Sequence, residues 1–517
     1  MSNRRLTLWL APLVVALAAG AGRAQDMPGK PLSAIDWLSE SVARPPPTMP
    51  EDGPQRAEGA GRIVPIIVTQ LGGPDLDAVG LLPPSVTGLP ADLWGSSRTE
   101  DLVRLIRESR AHALPALQSL FQTLLLAEFD PPANEPGEGS LLLARLDKLL
   151  DMGALDQAQA LLERAGPTDP ALFRRWFDVS LLTGHENRAC ATMRATPGIA
   201  PTFPARIFCL ARGGDWNAAA LTLETGTALG FIAPEMDALL LRFLEPDYAD
   251  PSDPLPIPAR PSPLVFRMME AIGQPIPTGS LPLAFAHADL RNTSGWKARI
   301  EAAERLARAG ILSENRLLGI YTEREPAASG GIWDRVGAVQ AFDIALLSGS
   351  PDAITKTLRP AWNAMKAAGL AAPFARLYGA RLARTPLPPE AAALAFRIGL
   401  LSKDYEAVAA AYEPRNAEET LLRALARGDA GGLSAADPRA AAVIRAFGPV
   451  DLGPAMRLRL EQGHLGEAIL HAIDRIAAGM QGEIEDVTEG LALLRRVGLE
   501  TTARRAALEL LVLGRRR

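Results

Sequence analysis

Between Leu141 and Gly230 one short pattern occurs three times, and it narrows the fold more than any other feature of the chain. A glycine is followed five residues on by alanine and nine residues on by a long apolar side chain: Gly153, Ala158, Leu162; Gly184, Ala189, Met193; Gly214, Ala219, Leu223. The glycines stand 31 and 30 residues apart, the spacing of stacked helical hairpins. In the first copy, Leu141 to Met152 carries apolar residues at helical spacing, Gly153 suits the positive φ that closes a helix, and Leu155 to Arg164 begins the return helix. The alanine lets the paired helices approach closely, and the leucine or methionine one turn later fills the seam. Gly166, Asp169 and Pro170 then end one helix and start the next, with Asp169 as N-cap and Pro170 at the first helical position. One hairpin cannot bury both its faces, whereas a row of them can. The expectation is an all-α chain, an α-solenoid of stacked hairpins with a long groove.

The pattern resembles the second half of the tetratricopeptide repeat, which has glycine, an apolar or aromatic residue two on, alanine five on and proline near the end of the unit. Gly153, Leu155, Ala158, Leu162, Ala165 and Pro170 match it, as do Gly214, Trp216, Ala219 and Leu223. The first-helix signature, a tryptophan before a Leu-Gly pair, is not clean, so the resemblance is to a tetratricopeptide-like repeat over about a fifth of the chain. The chain is also similar to the helical-hairpin superhelix in the non-catalytic part of soluble lytic transglycosylases. Those enzymes carry a lysozyme-like domain with a catalytic glutamate followed by serine and a downstream Gly-Leu-Met-Gln run. Neither occurs here, so that likeness implies a scaffold and not an activity.

Arg4 and Arg5 precede an apolar run from Leu6 to Ala19, and Gly22-Arg23-Ala24 supplies the small residues signal peptidase requires. Residues 1–24 therefore read as a Sec-type signal peptide, and cleavage after Ala24 leaves 493 of the 517 residues. Removing Arg4, Arg5 and Arg23 takes the 54 basic residues to 51 against 59 acidic ones, a net charge of −8. A mildly acidic exported chain without a basic block is a poor ligand for nucleic acid or anionic lipid, and no stretch after the signal is long and apolar enough to span a bilayer.

Residues 25–61, rich in proline, glycine and charge, are expected to be disordered. Within them Leu32, Ile35, Leu38 and Val42 share one face of a short helix, 32–42, which also bears Trp37; a tethered amphipathic peptide of this kind is a docking motif or packs back on its own chain. Ile63 to Leu71 is the best strand candidate, confined to an edge or extended segment by Pro65. Residues 62–96 read as a wrap laid on the first helices through Leu81, Leu82, Leu89 and Trp94. Ser97 and Glu100 read as a capping box opening the next helix, and residues 97–250 form an N-terminal helical array. Six prolines between Pro251 and Pro263 mark a linker, 251–263, before a second array, 264–517. There Gly310 centres a hairpin, Ser350-Pro351 starts a helix, and Asn416 with Glu419 forms another capping box. The pattern returns in Gly463, Leu465, Ala468 and in Gly498, Ala503, Ala507. Such a chain accommodates roughly 20 to 25 helices.

The only cysteines, Cys190 and Cys209, fall in helices of adjacent hairpins and are candidates for a disulfide in an oxidising compartment. No His or Cys spacing suggests a metal site, and no phosphate loop, nucleophile elbow or His-Glu-x-x-His is present, so no cofactor, metal or catalytic residue is assigned. The most unusual polar segment, Tyr321 to Arg335, groups Glu323, Arg324, Glu325, Asp334 and Arg335 around Ala-Ala-Ser-Gly-Gly. Its default role is ion pairing on an edge; a binding loop is the functional alternative, and a pair of glycosidase carboxylates, Glu323 and Asp334, the remotest. The reading is therefore a periplasmic, non-enzymatic scaffold or adaptor of a Gram-negative envelope, binding protein partners through its groove and the segment Leu32, Ile35, Trp37, Leu38. The alternative is an enzyme or saccharide-binding accessory of peptidoglycan metabolism acting through the 321–335 loop and associating with peptidoglycan.

Overall fold

The computed structural model describes residues 75–110, 114–133, 139–245 and 254–514. The signal-peptide assignment, the 32–42 segment with Leu32, Ile35, Trp37 and Leu38, and the strand candidate at 63–71 lie outside these residues. The described chain is all-α, with 25 α-helices and a few single turns of 3₁₀-helix. Its one β feature is an isolated parallel bridge between Leu82 and Ala127.

The three hairpins form where the glycines place them. Gly153, Gly184 and Gly214 adopt φ of 74°, 84° and 84°, a left-handed conformation that a side chain would strain. They separate Ser140–Asp151 from Leu155–Ala165, Pro170–Thr183 from Glu186–Ala195, and Phe203–Arg212 from Trp216–Ala228. Ala158, Leu162, Ala189, Met193, Ala219 and Leu223 are all buried in the seams. Asp169 caps its helix by accepting from the amides of Ala171 and Leu172, with Pro170 at the first position. The pattern holds again near the C-terminus, where Gly463 and Gly498 take positive φ and Ala468, Ala503 and Ala507 are buried. Asn416 accepts from the Glu419 amide, but the Glu419 carboxylate reaches the Arg415 amide, one residue before the position a capping box prescribes.

One expected cap is not made. The helix Thr99–Glu108 starts after Arg98, which gives it no side-chain cap. Ser97 lies outside the helix with its hydroxyl buried and without a hydrogen bond, and Glu100 pairs with Arg98 instead. The Ser97 amide donates to the carbonyl of the buried Trp94 at 3.0 Å, so Ser97 closes the preceding turn and the helix begins after Arg98.

The wrap is fastened by a residue that the repeat pattern does not mark. Arg145, fully buried within Ser140–Asp151, donates to the carbonyls of Leu125 at 2.9 Å, Val79 at 2.8 Å and Ala127 at 2.8 Å. Asp77, also buried, accepts from the Leu142 amide at 2.8 Å. Burial lowers the Arg145 pKa to about 10, with Asp77 opposing the shift; the guanidinium stays charged at neutral pH. The segment after the prolines is tied in as well. Pro263–Ala271 packs on Pro170–Thr183, Arg267 reaches Glu186 at 2.7 Å, and the His287 ring meets the Gly153 carbonyl at 2.7 Å.

The core forms two clusters. One takes in buried residues from Leu89 to Ala288 and resumes from Phe396 to Leu510; the other lies between Ala286 and Leu401. The first cluster joins the beginning and the end of the described chain because Leu465–Gly479 packs on Thr99–Glu108 and Pro115–Leu126, and Glu500–Leu513 packs on Pro115–Leu126. The last hairpins thus close against the first.

Candidate functional site: a cationic cavity at the closure

Closure depends on close backbone approach and on carboxylates supplied from one end of the chain to the other. The Gly466 amide donates to the Leu93 carbonyl at 2.9 Å, and a Cβ at Gly466 would stand 2.3 Å from the Trp94 ring. Ser96 Oγ donates to the Gln462 carbonyl at 3.1 Å and contacts His464 Nε2 at 2.9 Å. Asp474 accepts from Ser109 Oγ and the Arg110 amide, while Lys148 caps the same helix end through the Arg107 and Ser109 carbonyls.

At the start of Pro115–Leu126 the N-cap, Leu114, has no side chain able to accept a hydrogen bond. Glu509, buried in the last helix, supplies the missing acceptor and receives the Ala116 amide at 2.8 Å. Burial raises the Glu509 pKa to about 7, against the pull of that amide and of Arg505 and Arg376. The Asp474 carboxyl is likewise raised by burial.

Beside Glu509 lies a cavity of about 980 Å³. Its walls come from seven helices between Pro115–Leu126 and Glu500–Leu513. The apolar part is Leu114, Pro115, Met480, Leu510, Leu513 and a strip of alanines; the polar part includes Gln118, Asn363 and Gln481, and four cations, Arg308, Lys366, Arg376 and Arg439. No acidic side chain lines it among the described residues. Arg376 faces Glu314 at 3.4 Å. Arg308 shares Glu304 with Arg335, which holds that carboxylate through two bonds of 2.8 Å. Lys366 reaches only the Val512 carbonyl, at 3.4 Å, and Arg439 the Gly514 carbonyl; neither makes an ion pair among the described residues. The cavity thus presents apolar and cationic surface side by side.

The cavity was not legible in the sequence because its cations stand on separate helices up to 131 residues apart. Partial signals existed. Arg145 sits in the apolar stripe of LLLARLDKLL, and Glu509 in that of ALELLVL; a charge on a core face needs a buried partner.

The residues singled out from the sequence are placed as follows. Cys190 and Cys209 are disulfide-bonded, with Cα atoms 4.9 Å apart. In the 321–335 loop Glu323 pairs with Arg299 at 2.7 Å and with the neighbouring Arg324. Asp334 accepts from the Gly330 amide at 2.9 Å, and Arg335 turns inward to Glu304, which also accepts from Tyr321 Oη. Trp296 packs against Trp333 beneath the loop. Glu323 and Asp334 are thus each engaged with a different loop-stabilising partner; Glu325 is exposed. No group of three or more potential metal ligands occurs among the described residues, and no described helix is long and apolar enough to cross a membrane.

The chain matches no protein-family model, no curated protein and no solved structure.

Proposed function

We propose that this chain is an exported, non-catalytic binding protein, a scaffold of tetratricopeptide-like hairpins that holds a protein partner of the bacterial envelope in the cavity at its closure. The observation that carries the reading is the cavity itself: about 980 Å³, lined by apolar side chains and four cations, and built from both ends of the helical chain together with helices of its middle. A partner bound there would bridge the first and last hairpins and so stabilise the closed state. The Cys190–Cys209 disulfide supports an oxidising compartment, which with the signal-like N-terminus makes the periplasm the proposed location. The 321–335 loop serves in this reading as an ion-paired hairpin edge rather than as a site.

The test is a photo-cross-linking residue at Asn363, exposed at the cavity wall, in full-length protein within native envelopes. The same residue at exposed Leu433, outside the cavity lining, is the control, and a chain lacking 32–42 is run beside both. A protein adduct specific to position 363 is expected, and its loss with the deletion would assign 32–42 a docking role. If neither position yields an adduct while the protein sediments with purified peptidoglycan, the partner reading fails in favour of saccharide binding.

A further inference from the structure

Resting on that reading, we infer that the partner segment held in the cavity is an acidic peptide, whose carboxylates pair with Lys366 and Arg439 while its apolar side chains lie on the alanine and leucine strip. The sequence as a whole is net acidic, at −5, yet this cavity gathers four cations and, among the described residues, no lining carboxylate. Among the described residues Lys366 and Arg439 hold main-chain carbonyls at the end of the last helix and no carboxylate, which leaves their charge to a ligand. Arg308 shares a single carboxylate with Arg335 and leaves a further surplus. Like charges gathered in a concave site raise the local potential and favour an anion.

The size of the cavity and its mixed lining favour a peptide chain over a small anion. Arg308, Lys366, Arg376 and Arg439 belong to four different helices, Trp296–Arg308, Pro351–Ala367, Ala371–Ala383 and Pro438–Ala446. Ala367, Ala371 and Ala372 fall between Lys366 and Arg376 in the sequence, Ala307 directly precedes Arg308, and all four line the cavity. A phosphate clamp needs only donors converging on one point; here the four charges share a cavity of about 980 Å³ with Leu114, Pro115, Met480, Leu510 and Leu513, a lining that suits alternating acidic and apolar side chains.

The experiment is fluorescence anisotropy with the full chain and a labelled peptide of alternating glutamate and leucine. A serine-leucine peptide and a lysine-leucine peptide are the controls, and inorganic phosphate is a competitor at constant ionic strength. The variants are Lys366→Glu, on an exposed side chain whose charge reversal leaves the core intact, and Lys297→Glu, an equally exposed lysine outside the cavity. The expected result is binding of the acidic peptide only, weakened by added salt, reduced roughly tenfold by Lys366→Glu and unchanged by Lys297→Glu. Arg308→Gln is the second cavity variant, expected to weaken the same peptide should Lys366→Glu alter the melting curve. Equal loss in Lys366→Glu and Lys297→Glu, equal binding of the serine-leucine peptide, or complete displacement by phosphate would overturn the inference. If Lys366→Glu abolishes no binding yet the adduct at position 363 persists, the acidic-peptide assignment falls and the binding-protein reading stands.

Discussion

Replacing Glu509 by glutamine should stabilise the protein at alkaline pH and leave it nearly unchanged at mildly acidic pH. The carboxyl is almost wholly buried and caps a helix from the far end of the chain through the Ala116 amide. Burial moves its pKa from the ordinary 4.5 to about 7. Between those values the folded protein binds more protons than the unfolded chain, so stability falls as pH rises. The stabilisation is fully present below pH 4.5 and exhausted above pH 7, a change of about 3 kcal/mol. Glutamine keeps an acceptor oxygen for the Ala116 amide and carries no charge to desolvate. In urea unfolding at pH 5 the variant should lie within about 1 kcal/mol of the parent, and at pH 8 it should be more stable by about 2–3 kcal/mol. Other carboxyls raised by burial, Asp77, Asp178 and Asp474, contribute the same slope to both proteins, so the difference between them isolates Glu509. A variant less stable than the parent at pH 8 would refute the reasoning, because Glu509 would then be held as an anion by Arg505 or Arg376.

Further outcomes are expected from the same physical account. Arg145→Met keeps the volume but strands the carbonyls of Leu125, Val79 and Ala127; it should cost about 3–5 kcal/mol and expose the 75–82 segment to protease before global unfolding. Cys190→Ser with Cys209→Ser should lower stability by about 2–4 kcal/mol, measured by urea unfolding of the oxidised parent against the variant. Gly466→Ala should cost about 1–3 kcal/mol by forcing Trp94 aside, with a red-shifted Trp emission. Gly319→Ala, in the helix Glu314–Tyr321 and with open space around its added methyl, should stabilise by about 0.5–1 kcal/mol, seen as a raised midpoint in thermal melting.

Local structure was legible because its causes are local. The Gly153, Gly184 and Gly214 turns, the Asp169 cap with Pro170, and the buried Ala158, Ala189 and Ala219 all follow from residues within one hairpin. The Cys190–Cys209 pair follows from adjacency of two hairpins. What the repeat pattern could not convey is how the far ends meet, since hairpins of one pattern can stack openly or curve back on themselves. That choice rests on contacts such as Gly466 against Trp94 and Glu509 against Ala116, whose partners are more than 370 residues apart. The 97–100 start departs from the capping-box spacing because Ser97 belongs to the turn before the helix, its amide held by the Trp94 carbonyl, while Glu100 pairs with Arg98. The same non-locality hid the cavity, whose four cations look like ordinary helix-surface charges in the sequence.

Closure of the first hairpins against the last is the claim on which the cavity depends, and it can be measured directly. Cysteines placed at Ser96 and Gln462, where the serine hydroxyl meets the glutamine carbonyl at 3.1 Å across 366 residues of sequence, should be joined by a short bis-maleimide. Cys190 and Cys209 are bonded to each other and do not compete. The account predicts rapid intramolecular cross-linking at every protein concentration, abolished by prior unfolding in urea. Absence of the intramolecular product in folded protein, or products formed only between molecules, would contradict it.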